Sequence, residues 1–263
     1  MRRILFLFLP LALFGQMRDN RDKQLTCNDG GYGAQVHRCE MREQTMAKPP
    51  LLTADAGLNG GIFVRGWTGK DVLVRARVEA WADNAAMADA MLRETQVNSS
   101  AGRISATGPS ANRRSGWAVS YEIFIPRKSD IDLRAFNGAI ELSDVEGTAR
   151  METTNGRLRI ARVAGDVNGI TQNGSLDIEL MGKRWEGRRL DVQTTNGQVR
   201  VTVPDGYSAQ LQAQTVNGQI YCNFPVTVTG RIGRMRDLNA TLGSGGALIH
   251  VSTINGPVSL SRI

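Results

Sequence analysis

Histidine is nearly absent from this chain, with His37 and His250 the only two in 263 residues, and no Ser-His-acid set can be assembled around a motif with either of them. Cysteine is almost as rare at three residues, and lysine is confined to Lys23, Lys48, Lys70, Lys128 and Lys183, so arginine supplies nearly all the positive charge. After Phe14 no stretch is long and apolar enough for a membrane helix, which needs about 20 apolar residues. There is no HExxH, no GxxxxGK[ST] and no complete GxGxxG, so zincin, P-loop and dinucleotide-binding chemistry lack their motifs. Gly-x-Ser-x-Gly is also missing; its nearest approach, LGSGG over 242–246, has the glycine spacing of a turn.

What the chain has instead is one recurring phrase, Thr-x-Asn-Gly-x-apolar-x-apolar. Copies read FNGAIEL at Asn137, TTNGRLRI at Asn155, TQNGSLDI at Asn173, TTNGQVRV at Asn196, TVNGQIYC at Asn217 and TINGPVSL at Asn255, with LNGGIFV at Asn59 as an outlier. From Asn137 onward the Asn positions are 18, 18, 23, 21 and 38 residues apart, and the last gap leaves room for a decayed copy near Gly233 to Gly246. Asn-Gly tolerates positive φ at two adjacent positions, so Asn59-Gly60, Asn137-Gly138, Asn155-Gly156, Asn173-Gly174, Asn196-Gly197, Asn217-Gly218 and Asn255-Gly256 are predicted as turns. Their flanks alternate: Leu190, Val192 and Thr194 precede Asn196, and Val199, Val201 and Val203 follow it, a period of two that marks strands. A second turn is expected at Gly147, Gly165 and Gly206, each ten residues past its Asn.

Strand, Asn-Gly corner, strand, Gly corner is one coil of a flattened β-solenoid. Three or four inward apolar side chains contribute roughly 5 to 10 kcal/mol per coil, whereas ordering each backbone residue costs roughly 1 to 2 kcal/mol. A coil therefore needs neighbours stacked on it. The same pattern admits a rival, an antiparallel β-sandwich of Asn-Gly hairpins in which Val192 faces Val201 and Met151 faces Ile160. The near-constant period and identical corner chemistry favour the solenoid, with stacked Asn and Thr ladders.

The opening MRRILFLFLPLALFGQ has two arginines, an apolar run from Ile4 to Phe14 and then small or polar residues, so residues 1–15 read as a secretory signal peptide. No cysteine follows closely enough for a lipoprotein anchor. Residues 16–50 form a polar leader without a strand pattern of its own, in which Cys27 and Cys39 are expected to pair in the oxidising compartment that export implies. A metal site at His37 with these cysteines is the poorer reading, since it lacks a fourth ligand and a recognised spacing. Residues 51–130 carry strands near Gly61 to Arg65, Val72 to Trp81, Arg103 to Ala106 and Trp117 to Ile125. They also hold a short amphipathic helix in ADNAAMADAMLRETQ, and they cap the β-repeat of residues 131–263. The span 51–263 reads as one continuous domain.

Net charge is +7, but Arg157 and Arg159 alternate with Leu158 and Ile160 as on the solvated face of any strand, so no specific nucleic-acid partner is implied. The run GDVNGITQNG near Asp166 lacks the closing Glu of a calcium loop. Asp177, Glu179 and Asp191 face outward by alternation, with nothing in sequence to bring two together as a glycosidase pair. Cys222 occupies an apolar slot of its repeat and reads as core. Of Trp67, Trp81, Trp117 and Trp185, three lie in the capping segment and read as its core rather than as a sugar-stacking surface.

Taken together, NGGIFVRGWTGKDVLVRARVEA, WAVSYEIFIP, TTNGRLRI, RWEGRRLDVQTTNGQVRVTVPDGYSAQLQAQTVNGQI and LGSGGALIHVSTINGPVSL make the chain, from about Asn59 to Ile263, resemble the bacterial putative-adhesin family of exported β-strand-repeat proteins. The resemblance implies an exported solenoid-like fold and a role at the cell surface, and it supplies no catalytic, cofactor or metal residues. The expectation is a non-enzymatic adhesin or envelope scaffold without cofactor, in the periplasm, on the cell surface or outside the cell, with a glycan or envelope protein as its surface ligand. The rivals are a polysaccharide-active hydrolase or lyase on the same coil, and an envelope stress or signalling accessory.

Overall fold

Each Asn-Gly pair stands where the chain leaves one β-sheet for another. In the computed structural model, which describes residues 25–27, 35–225, 227–228 and 236–262, the described residues form two large mixed sheets packed face to face with one helix. The signal-peptide reading of residues 1–15 lies outside the described residues. In chain order the elements are β1 (Val36–Met46), β2 (Leu51–Asp55), β3 (Ile62–Trp67), β4 (Val72–Ala82), α1 (Ala85–Glu94), β5 (Gln96–Ser100), β6 (Arg103–Thr107) and β7 (Gly116–Pro126). They continue with β8 (Asp130–Ala135), β9 (Ile140–Ser143), β10 (Glu146–Thr153), β11 (Leu158–Ala161), β12 (Ala164–Asn173), β13 (Leu176–Glu179), β14 (Arg189–Asn196) and β15 (Val199–Val203). The last are β16 (Ala209–Asn217), β17 (Ile220–Cys222), β18 (Thr227–Val228), β19 (Asp237–Leu242), β20 (Leu248–Asn255) and β21 (Val258–Arg262).

Sheet A runs β1-β4-β7-β3-β9-β11-β13-β15-β21-β17, and sheet B runs β18-β19-β16-β20-β14-β12-β10-β8-β2-β6-β5. Within the repeat the pairing is parallel and in step: Leu158 lies beside Ile140 and Leu176, and Val167 beside Ala149 and Leu190. The strands flanking an Asn-Gly belong to opposite sheets and do not pair with each other, which removes the antiparallel hairpin sandwich. Val192 and Val201 are both buried in the core, but from opposite sheets rather than as a cross-strand pair. Period two is the reason: along β16, AQLQAQTVN buries Ala209, Leu211, Ala213 and Thr215 and exposes the residues between them.

The coils do not stack in chain order. The coil of β20 and β21 lies between that of β14 and β15 and that of β16 and β17, in both sheets at once. In space the Asn order is 59, 137, 155, 173, 196, 255, 217. Asn59, whose spacing set it apart, is thus a full member stacked on Asn137. The long gap before Asn255 holds, in its described part, β19 laid antiparallel on β16 and a turn over 243–246, in place of a decayed coil.

At the other end, β7 joins β3 in parallel and β4 and β1 follow antiparallel in sheet A, while β6 joins β2 in parallel and β5 follows antiparallel in sheet B. The leader thus contains a strand after all: β1 pairs with β4 over its whole length, from Val36 opposite Ala82 to Met46 opposite Val72. Alternation is faint there because β1 is an edge strand, with most of its side chains at least partly exposed. Helix α1 is capped by Asn84, whose side chain accepts from the Met87 amide, and it buries Ala88 and Met91 while leaving Met87 exposed.

Candidate functional site

The Asn side chains form one continuous ladder. Asn137 donates to Asn59 at 3.2 Å, and Asn155 to Asn137, Asn173 to Asn155 and Asn196 to Asn173 at 2.8 Å each; Asn255 donates to Asn196 at 2.7 Å and Asn217 to Asn255 at 2.8 Å. A second ladder runs beneath it, in which the buried hydroxyls of Thr153, Thr171, Thr194, Thr253 and Thr215 donate to the glycine carbonyl of the adjoining coil at 2.8–2.9 Å. Positive φ is not what selects Asn here. None of the seven takes it, and the described non-glycine residues that do are Ala101, Asp144 and Arg162. The glycine is required by closeness: a Cβ on Gly174 would stand 1.9 Å from the Gly156 carbonyl oxygen.

The opposite corner is built from charge. Asp144 and Arg162, one coil apart and both with positive φ, form a two-pronged pair at 2.9 and 2.7 Å, and Arg162 also reaches Glu179 at 3.2 Å. The hydrogen bond from Arg162 holds the Asp144 carboxyl below the usual carboxylate range, against the opposing effect of burial. Beside this corner Trp185 is buried and donates to the Gly165 carbonyl at 3.0 Å. Burial, followed by the Glu186 charge, raises the pKa of Tyr207.

Outward-facing residues divide sharply between the two sheets. Across sheet A a single row alternates in sign, Glu43, Arg75 and Glu122, then beyond Phe63 Glu141, Arg159, Asp177 and Arg200. Asp177 is held by Arg157 at 2.7 Å and by Arg200 at 2.8 Å, and Glu179 by Arg159 and Arg162. Arg75, itself buried, joins Glu43 at 2.7 Å and Glu122. Asp177 and Glu179 are thus ion-pair partners on a solvated face, whereas Glu122 is buried with Arg75. Asp166 likewise pairs with Arg188 and Arg189, and Asn168 donates to the Asp191 carbonyl, so the loose Asp/Asn run there forms no cation loop.

Sheet B differs. Its outer face over β12, β14, β20, β16 and β19 carries the Asp166–Arg189 and Asp191–His250 pairs farther from the Asn ladder and mostly amides, hydroxyls and aliphatic groups nearer to it, where it sinks into an open trough of about 490 Å³. Gln193, Ser252 and Gln214 stand in register across the floor, with Ile170 at one end and Asp237 at the other. Thr195, Ile254 and Val216 form a parallel row one step closer to the ladder. Next to the floor on the other side, Asp191 and His250 Nδ1 lie 2.8 Å apart, and Gln193 donates to Asp191 at 3.3 Å. Sequence alone left Asp191 and His250 in separate repeats, and the trough residues carried no motif. The outward glutamines of AQLQAQT were their one visible signal.

Cys27 and Cys39 are joined in a disulfide with Cα atoms 5.6 Å apart, which uses both thiols and leaves none for a metal. Cys222 is only partly buried against the core, and its thiol contacts the Phe224 carbonyl. The tryptophans do not converge: Trp117 donates to the Pro109 carbonyl, Trp67 to that of Asp71, and Trp81 stacks on His37. Among the described residues no cluster of His, Cys, Asp and Glu suits a metal ion, and no helix is long and apolar enough to cross a membrane.

Residues 76–261 match the model of a family described as Toastrack DUF4097. No curated protein sequence matches the chain. Similar solved structures include a putative cell adhesion protein from Clostridium sporogenes, 10% identical over 85% of this chain and 100% of that one with a TM-score of 0.46. A putative adhesin from Bacteroides fragilis is 9% identical over 86% and 97% with a TM-score of 0.39. A putative lipid binding protein from Parabacteroides distasonis is 11% identical over 86% and 96% with a TM-score of 0.30. At these scores the likenesses carry no functional weight.

Proposed function

The chain belongs to the Toastrack DUF4097 family, and from that premise we propose that it is an exported, non-enzymatic binding or scaffold module whose outer sheet faces meet a surface ligand. The observation that carries this reading is the division of labour among side chains. The Asn, Gly and Thr of the phrase spend their hydrogen bonds on neighbouring coils, so they act as corner residues, and contact with a partner falls to the residues between the corners. The disulfide supports an oxidising compartment, outside the cytoplasm. Residues 51–263 act as one unit, with 51–130 closing one end.

A binding array of glycans and envelope fractions, probed with the chain lacking residues 1–15, tests the reading. Saturable binding lost on substitution of outer-face residues supports it; uniform failure to bind overturns it. An Asn155→Val variant that keeps full stability but loses binding would show that the ladder itself is the site. A polysaccharide hydrolase or lyase is the second reading, favoured by the Asp191 and His250 pair beside the trough. Glycan turnover abolished by Asp191→Asn would establish it over the first.

A further inference from the structure

The geometry points to an extended, uncharged polysaccharide chain as the occupant of the sheet B trough, lying across the strands. This assignment rests on the binding-module reading and names the ligand class of that site. Three features of the trough select the occupant.

Direction comes first. Ile170, Gln193, Ser252, Gln214 and Asp237 are register partners on five successive strands, so the floor runs perpendicular to the strands for four strand spacings, roughly 19 Å. One sugar residue of an extended chain advances by about the distance between neighbouring strands, so successive sugars meet successive side chains. A folded protein surface has no such period, and a bound peptide strand would align with the edge of a sheet rather than across its face.

Hydrogen-bonding capacity comes second. The side chains of Gln214, Ser252 and Thr195 make no hydrogen bond to any described residue, and the Gln193 side chain spends one amide hydrogen on Asp191, which leaves its carbonyl oxygen open. Amides and hydroxyls both donate and accept, as sugar hydroxyls do. The aliphatic faces of Ile170, Ile254 and Val216, each 44–56% exposed, supply apolar contact for the C–H faces of sugar rings.

Charge decides between classes of chain. The floor between its ends is neutral, and the Asp237 carboxylate closes one end, so an anionic polymer meets no cation along the row. Arg236 lines only that same end. On sheet A the aligned arginines Arg159 and Arg200 are already matched by carboxylates. A neutral chain loses no ion hydration on entering the trough, and the open amides replace the water it gives up.

The test is affinity electrophoresis and calorimetric titration of the chain lacking residues 1–15 against soluble neutral polysaccharides (β-glucan, xylan, mannan) and against polygalacturonate. Retardation by at least one neutral chain is expected, with tetrasaccharides sufficient and disaccharides weaker. A Gln193→Ala/Gln214→Ala variant should bind about tenfold more weakly at unchanged thermal stability. Arg159→Gln on sheet A should bind normally. Retardation by polygalacturonate alone, or equal neutral-glycan binding by the double variant, overturns the assignment. If an envelope protein is captured through other outer-face residues while every neutral glycan fails, this assignment falls and the binding-module reading stands; failure of all probes removes both.

Discussion

Replacing Asn255 with alanine removes two side-chain hydrogen bonds, the one it donates to Asn196 at 2.7 Å and the one it accepts from Asn217 at 2.8 Å. Replacing Asn217, the last rung, removes one. Each such bond is worth about 0.5–1.5 kcal/mol net, and exposure places these in the lower half, so Asn255→Ala should cost about 1–2 kcal/mol and Asn217→Ala about half that. For a domain of this size each kcal/mol moves the melting temperature by about 2–4 °C. The sharper quantity is the coupling between rungs, measured by urea denaturation of single and double variants. Asn196 and Asn255 should couple by about 0.5–1 kcal/mol, and so should Asn255 and Asn217. Asn196 and Asn217, neighbouring copies in the sequence, should be additive, because the coil of Asn255 separates them. Coupling between Asn196 and Asn217 with none to Asn255 would show coils stacked in chain order and would refute the inserted last coil.

Tyr121 is fully buried and its hydroxyl has no hydrogen-bond partner among the described residues, so Tyr121→Phe should raise stability by about 1 kcal/mol; a loss in chemical denaturation would reveal a partner. The same burial, with the Asp55 charge second, raises the pKa of Tyr121, so its ultraviolet titration should begin only as the chain unfolds in alkali. Asp144 titrates below its unfolded range because of Arg162, so its contribution is present above about pH 4 and is lost as pH falls from there through the folded pKa. Asp144→Asn should flatten that part of the stability–pH curve, and an unchanged acid slope would deny the pair its role. Reduction of the disulfide, or Cys39→Ser, releases a loop of sequence separation 12 and should lower stability by about 3 kcal/mol, read as a lower urea midpoint; no change would mean that β1 is held by its pairing with β4 alone.

Strand character and the path of a single coil were legible because both are set locally. In VQTTNGQVRV the alternation decides which side chains face inward, and the Asn-Gly between the two strands marks where the chain changes sheet. The reason for that pair was less legible. Positive φ is a property of one residue and can be guessed from one residue, whereas the gap between Gly174 and the Gly156 carbonyl exists only between two coils. Strand β1 escaped notice because an edge strand with both faces partly wet has little alternation to show. The trough escaped it because Ile170, Gln193, Ser252 and Gln214 come from four strands, each looking like an ordinary solvated position.

By itself, then, the sequence determined that the chain is a β-repeat, which side chains turn inward, that Cys27 and Cys39 are available to each other, and that no recognised catalytic motif is present. Stacking order was left to the tertiary structure. Every coil presents the same Asn amide and the same glycine carbonyl to its neighbour, so the phrase is self-complementary and accepts any other copy. The choice falls to parts without the phrase: β19 covers the outer side of β16, and the turn over 243–246 returns the chain between β14 and β16. That insertion places Ser252 between Gln193 and Gln214, and so it makes the polar floor of the trough continuous.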